Sequence, residues 1–379
     1  MEEDKINMIY ESNEVKKKNG FEYKEQRMAI DTGDRVNDIN IQDAVIHVLD
    51  KNAAEPILNE YALELTEDTY KFLYKHIDKI FKNDDLVPAV FNPERNIVKE
   101  AAKDYLSNII TGNIIETSKE LAKQLFCIMK GNENIPSCDL IVTSIITDQG
   151  PMIGILKLDY VRSFTHQVDF IDNKIGVGLI KHSAALPGSN QRIQKAAFIK
   201  PIKEGQSFDL WVMDSHKSRK DDDEYGANYF SNMFLGCSKV SDSRTETKAF
   251  IHAVERWTRN NITEDAVKAE YVRSTIKDEL QEEENINITE LADKLFRDEP
   301  QKKQDFERFI KGNGIDEEIK VDKKFVDKKL KRVRIKIDND IDLYINREAY
   351  KDSSKFEIKR NGDGSINMII KHVINYIEK

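Results

Sequence analysis

Apolar positions recur at helical spacing in two early segments of the chain. In Glu67 to Phe81, residues Phe72, Leu73, Ile77, Ile80 and Phe81 share one face, and in Ile115 to Met129, Leu121, Leu125, Phe126 and Met129 do the same. Each stripe needs a core to face. Elsewhere the period is two. The runs INIQDAVIHVLD from Ile39 and ILNEYALEL from Ile57 alternate around a turn at Lys51 to Pro56, which predicts a hairpin. The run LIVTSIITDQGPMIGILKLDYV, Leu140 to Val161, predicts two strands joined at Asp148-Gln149-Gly150-Pro151, where glycine supplies the unusual backbone angles and proline stops the ladder. A further pair is predicted between Lys174 to His182 and Ile193 to Pro201, joined through Pro187-Gly188-Ser189-Asn190, with the strand at Phe208 to Met213 extending the same sheet.

From Tyr225 to Ile310 the pattern reads almost wholly helical. Ala249, Phe250, Ala253, Val254 and Trp257 form one stripe, Gly236 punctuates two helices, and Thr263 is placed to cap EDAVKAEYVRSTIKDEL. Asn287 followed by Glu290 resembles a capping box. After Gly312-Asn313-Gly314 the period returns to two in VRIKIDNDIDLYINREAY and KFEIKRNGDGSINMIIKHV, with Asn-Asp and Asn-Gly-Asp-Gly turns. The fold class expected is α+β: a charged N-terminal arm over 1–38, an α+β domain over 39–215, a helical region over 216–311 and a small β-rich C-terminal module over 312–379.

Length and composition narrow the function classes. A chain of 379 residues has room for two to three domains, and a charged fraction of 34% places it in the soluble class. Its longest apolar run, Leu140 to Ile146, falls far short of the roughly 20 residues that a membrane span needs, so no membrane partner is expected. The opening MEEDKINMIYESNEVKKKNG lacks the apolar core of a signal peptide, and the expected location is cytoplasmic. Cys127, Cys138 and Cys237 show no CxxC pair and read as reduced thiols. His47, His166, His182 and His252 are scattered without paired ligand spacing, and neither a phosphate-binding glycine loop nor a GxSxG elbow occurs. No cofactor and no metal are expected.

A formal net charge of −9 means that any contact with nucleic acid must be local, because phosphates are neutralised by clustered Lys and Arg. Two clusters qualify. In VDKKFVDKKLKRVRIK, residues Lys323, Lys324, Lys328, Lys329, Lys331, Arg332, Arg334 and Lys336 outnumber Asp322 and Asp327. They read either as phosphate contacts or as a solvated helix-to-strand transition. The second cluster comprises His216, Lys217, Arg219 and Lys220 in a loop, then Lys239, Arg244 and Lys248 around a helix start. The acidic run Asp221-Asp222-Asp223-Glu224 either pairs with these cations or binds a basic partner. Ser238, Ser241 and Ser243 read as caps or as phosphate contacts. Asp342, Glu357 and Lys359 have the order of a restriction-like nuclease site, though Glu318-Ile319-Lys320 offers the same triplet. Tyr225, Tyr229, Phe230 and Phe234 recur at helical spacing and are expected in a core rather than stacked on bases.

The phrases AVIHVLD, GILKLDYV, NYFSNMFLGCS and IDLYINREAY, in that order from about Ile39 to His372, resemble the 37-kilodalton nucleoid-associated protein family of bacteria. That resemblance implies binding of double-stranded DNA in the nucleoid and a link to topoisomerase function. It brings no catalytic or ligand residue to any position here. The arm before Ile39 and the acidic insert at Asp221 to Glu224 depart from the family's pattern. The resulting expectation is a non-enzymatic, DNA-associated protein of chromosome organisation with little sequence preference. The alternatives are an adaptor for a topoisomerase or other DNA-bound machine, and a Mg²⁺-dependent nuclease or component of a system against foreign DNA. A homodimer would place two basic patches on one duplex.

Overall fold

The computed structural model describes residues 35–109, 111–172, 174–215, 229–337, 340–375 and 377, and not the side chains of 171, 183 and 184. An antiparallel sheet of seven strands organises the first half. It comprises β1 (Ile39–Leu49), β2 (Leu86–Phe91), β3 (Cys138–Thr147), β4 (Gly150–Asp159), β7 (Lys195–Ile199), β8 (Leu210–Asp214) and β9 (Cys237–Lys239), in the order β1-β3-β4-β7-β8-β2-β9. Both faces are covered, which is why the central strands read as near-continuous apolar runs. On one face Leu73, Ile77 and Phe81 of α1 (Glu67–Phe81) pack with Ile141, Ile145, Phe198 and Trp211. On the other, α2 (Ile97–Ser107) and α3 (Ile114–Lys130) bury Val98, Ala102, Leu121 and Leu125 against Val45, Leu140, Val142 and Ile155. Thr66, Asn96 and Asn113 cap these three helices by accepting backbone N–H groups of the first turn.

Three local expectations differ from the structure. The run ILNEYALEL forms no second strand: it meets β1 through the Val48–Ile57 bridge, the bond from Leu63 N–H to Ala44 O and the bond from Asn59 N–H to His47 Nδ1, which leaves Tyr61 outside. The strand from Lys174 does not pair with the strand at Ile193. Instead β6 (Lys174–Ala185) pairs with β5 (Val161–Ile171), while β7 lies between β4 and β8. The cap before the helix at residue 266 is Asp265, not Thr263, because it is the Asp265 carboxylate that accepts from Lys268 N–H.

The second core is helical. Helices α4 (Ser243–Asn261), α5 (Ala266–Glu282), α6 (Ile288–Leu295) and α7 (Pro300–Gly312) pack with the two-stranded ribbon β10 (Asn285–Asn287) and β11 (Glu318–Lys320). At its centre the Trp257 ring lies 5.1 Å from both Phe296 and Phe306, edge-on to each, and its indole N–H donates to Asp305. Asn287 caps α6 as read, accepting from Thr289 and Glu290 N–H. Helix α8 (Lys323–Leu330) tucks Val326 into this core. Two hairpins close the chain, β12 (Arg332–Ile337) with β13 (Ile341–Asn346), and β14 (Phe356–Arg360) with β15 (Ile366–Ile370), on either side of the short α9 (Arg347–Lys351). Among the described residues no helix is long and apolar enough to cross a membrane.

Candidate nucleic-acid interface

The phrase Tyr229 to Lys239 is built differently from the two helices read there. Phe230–Leu235 forms one π-helical turn, Gly236 ends it with φ +60°, and β9 then adds to the edge of β2. Tyr229, Phe230 and Phe234 are buried in the sheet's core, as their spacing suggests. Asp214 at the end of β8 holds the turn: one carboxylate oxygen accepts from Ser231 N–H at 3.1 Å and from the Ser231 hydroxyl at 2.5 Å. The other oxygen pairs with the buried ammonium of Lys195. This phrase is a piece of architecture, and it sets where α4 begins.

The first basic cluster divides by role. Lys323 reaches back to the carbonyls of Leu280, Gln281 and Glu283, at 3.3, 2.9 and 2.6 Å, and so finishes the C-terminus of α5. Arg334 lies over the Tyr344 ring at 5.1 Å and pairs with Asp342 at 3.5 Å. Lys324, Lys328, Lys329, Lys331, Arg332 and Lys336 are exposed. Phe325, Val326 and Val333 of the same segment are buried.

The second cluster is tied to two aspartates in the turn before β2. Arg244 pairs with Asp84 at 2.5 Å, Lys248 pairs with Asp85 at 2.6 Å, and Arg192 also pairs with Asp85. Burial pushes the Asp85 carboxyl up, but the bonds from Lys248 and Arg192 outweigh it and hold the group at about 2. Asp84 is likewise held low against its burial by Arg244, with Lys248 and Lys328 contributing. Lys239 is exposed on β9. His216, Lys217, Arg219, Lys220, the acidic run Asp221 to Glu224 and Tyr225 lie outside the described residues.

The structure extends the second cluster by two cations that were not read from the sequence, Arg192 and Arg256. Arg244, Lys248, His252 and Arg256 recur every four residues and make one stripe along α4, opposite the buried Phe250, Val254 and Trp257. Partial burial, then Lys248, Lys329 and Arg256, keep His252 below its ordinary value, so Lys329 of α8 stands near this stripe. Arg192 joins from the segment before β7. The four-residue recurrence was available in the sequence, whereas the approach of residues 192 and 328–329 was not.

The remaining candidates fall into structural places. His47 is buried, with Nδ1 accepting from Asn59 N–H at 3.0 Å and Nε2 bonded to Ser118 at 2.8 Å, and burial lowers it to about 4. His76 donates to Pro187 O and is also lowered by burial. Burial pushes the Cys138 and Cys237 thiols up to about 12, so neither is a thiolate near neutral pH. Asp342 stands on β13, whereas Glu357 and Lys359 stand on β14 in a separate two-stranded sheet, and Glu357 is paired with Lys371. The triplet is therefore not assembled on adjacent strands. Among the described residues no three His, Cys, Asp or Glu side chains gather as a metal-binding set.

Compared with known families, residues 45–378 match the family described as nucleoid-associated protein YejK. No curated protein matches the chain.

Proposed function

The chain belongs to the nucleoid-associated protein YejK family, and on that premise we propose that it binds double-stranded DNA directly, through phosphate contacts from the exposed cations of α8 and β12. The observation that carries this reading is the density of exposed cations in that segment. Phe325, Val326 and Val333 are buried, while Lys324, Lys328, Lys329, Lys331, Arg332 and Lys336 are each exposed. Lysine contacts to phosphate fix position without reading bases, so the binding is sequence-tolerant and suits a role in chromosome organisation within the nucleoid. The α4 stripe, with Lys329 near it, supports a broader cationic surface of which α8 is the exposed centre. No residue is assigned a catalytic role.

The test is fluorescence anisotropy of a labelled duplex at several salt concentrations, with wild type and a variant carrying Lys328, Lys329, Lys331 and Arg332 all changed to Ala. Direct binding predicts a log-log salt slope of about −0.9 per phosphate contact, and a variant that loses both affinity and slope. Wild type that fails to bind at moderate salt overturns the reading. A second reading then leads: an adaptor for a topoisomerase or another DNA-bound machine. The net charge of −9 and the pairing of Arg192, Arg244 and Lys248 with Asp84 and Asp85 favour it.

A further inference from the structure

The hairpin of β5 and β6 leaves the main sheet and forms a sheet of its own. β5 runs on from β4 past Tyr160, and β6 returns through Leu186 and Pro187 to β7, the neighbour of β4. The 11 residues of β5 make an arm about 35 Å long at roughly 3.3 Å per residue. Directly opposed residues share a face. Phe164, His166, Val168 and Phe170 therefore stand on the same face as Lys181, Leu179, Val177 and Ile175, their partners in register. The opposite face carries Thr165, Gln167 and Asp169 opposed to Ile180, Gly178 and Gly176. Six large apolar side chains thus crowd one face, with exposures from 51% at Val168 to 77% at Phe170 and Leu179. A two-stranded hairpin alone is marginal in water, and one with an uncovered apolar face needs a partner.

We propose that this face is a dimerisation surface and that its occupant is the same face of a second copy of the chain. The area fits. At roughly 150–250 Å² for an aromatic side chain and less for an aliphatic one, the six exposed groups present on the order of 700 Å² per copy, close to the ~800 Å² per partner of a standard interface. A two-fold contact also requires a surface complementary to itself. The ladder meets that requirement, with the Val168–Val177 pair at its middle, Phe170–Ile175 one step toward the tip and His166–Leu179 one step toward the base. Laid face to face about an axis through the valine pair, the Phe170–Ile175 rung of one copy covers the His166–Leu179 rung of the other. The same operation carries Lys181 toward the turn at Asp172 of the other copy. Arg162, Lys174 and Lys181 against Asp169 and Asp172 leave the arm with no excess of acid, so the chain's net charge of −9 does not hold two arms apart. The proposal does not depend on DNA binding, although a dimer would present two α8 patches to one duplex.

Sedimentation equilibrium of the full chain without DNA tests it. Wild type should be a dimer. The double variant Val177→Asp and Leu179→Asp should be a monomer, its dissociation constant raised by roughly 100-fold or more, because each change enters a two-fold interface twice. Thr165→Asp with Gln167→Asp adds the same charge to the opposite face and should remain a dimer. Circular dichroism checks that the variants fold. Should the aspartate pair not fold, the milder Val177→Thr with Leu179→Gln is expected to weaken the dimer in the same direction. A monomeric wild type overturns the proposal and leaves the face to a different protein. A dimer that survives the apolar-face variants with unchanged affinity overturns it too, since its interface then lies elsewhere.

Discussion

The Ser231 hydroxyl donates to Asp214 at 2.5 Å, and the same oxygen takes the Ser231 backbone N–H, so one carboxylate fastens the π-helical turn to the end of β8. Its other oxygen neutralises Lys195, whose ammonium burial pulls down in pKa and Asp214 pulls back up. Asp214→Ala should therefore cost about 3–5 kcal/mol, since it removes the carboxylate paired with a buried cation and frees the turn. Replacing both partners, Asp214→Leu with Lys195→Met, should recover most of that loss. Urea denaturation reads both, and a single-variant cost below about 1 kcal/mol would contradict this account of the pair.

Gly236 is constrained twice. Its φ of +60° lies in the left-handed region, and a Cβ there would come within 2.7 Å of Asn96 Nδ2. Asn96 cannot swing aside cheaply, because Nδ2 donates to Phe234 O while Oδ1 caps α2 through Lys99 N–H. Gly236→Ala is expected to cost roughly 2 kcal/mol, the sum of left-handed strain and a disturbed cap. A melting temperature within 1 °C or so of wild type would contradict this account.

Acid should loosen the sheet before it touches the ion pairs. His47 has a folded pKa of about 4 against an ordinary value near 6.5, so the unfolded chain binds its proton first. The stability tied to neutral His47 is complete above about pH 6.5 and is lost as pH falls toward 4, on the order of 2–3 kcal/mol. His76 acts in the same direction. Asp85, held at about 2, keeps its contribution through that window and gives it up only below about pH 4. His47→Gln should flatten the decline in denaturation free energy between pH 6.5 and 4, and an unchanged slope would sink the assignment.

These elements differ in how plainly the sequence announced them. Helix α1, nearly all of α3 and the β3–β4 hairpin were legible because an amphipathic stripe, or a Gly-Pro turn between apolar runs, is a local signal. β2 and α2 were not. Pro88 sits inside β2, a position that normally argues against a strand, and is tolerated where β8 and β9 flank it and its carbonyl accepts from Val240 N–H. β6 is read with β7, although it pairs with the strand just before it, Ile171 opposite Lys174, because no glycine or proline punctuates the turn between them. The basic run on α8 could be read directly, whereas its approach to α4 depends on how the helical core folds.

Cations of the two clusters should behave differently when removed. Arg244 is mostly buried, pairs with Asp84 and lies 5.1 Å from the Phe325 ring, so Arg244→Ala should lower stability by about 1–2 kcal/mol through lost packing and an unpaired acid. Its effect on the salt slope of DNA binding should be small. Lys328→Ala should do the reverse, leaving the melt nearly unchanged while the slope falls by about 0.9. An Arg244 variant with full stability and a reduced slope would move the DNA contact onto α4.

Neutralising the acids tests how far the cationic surface extends. Asp84 and Asp85 together offset Arg192, Arg244, Lys248 and, at longer range, Lys328. The double variant Asp84→Asn and Asp85→Asn removes two negative charges from the neighbourhood of the proposed phosphate contacts and releases Arg192 and Lys248 toward solvent. Binding should tighten by roughly threefold to tenfold at low salt, with a slope steeper by about 0.9 for each released cation that reaches a phosphate. The variant should also be less stable, because the half-exposed pairs of Asp85 contribute up to about 1 kcal/mol each and the mostly buried Arg244 loses its charged partner. Tighter binding with an unchanged slope would mean that the aspartates act only through the field they impose on α8. Unchanged affinity would confine the interface to α8 and β12 and leave the α4 stripe as a structural seam between the sheet and the helical core.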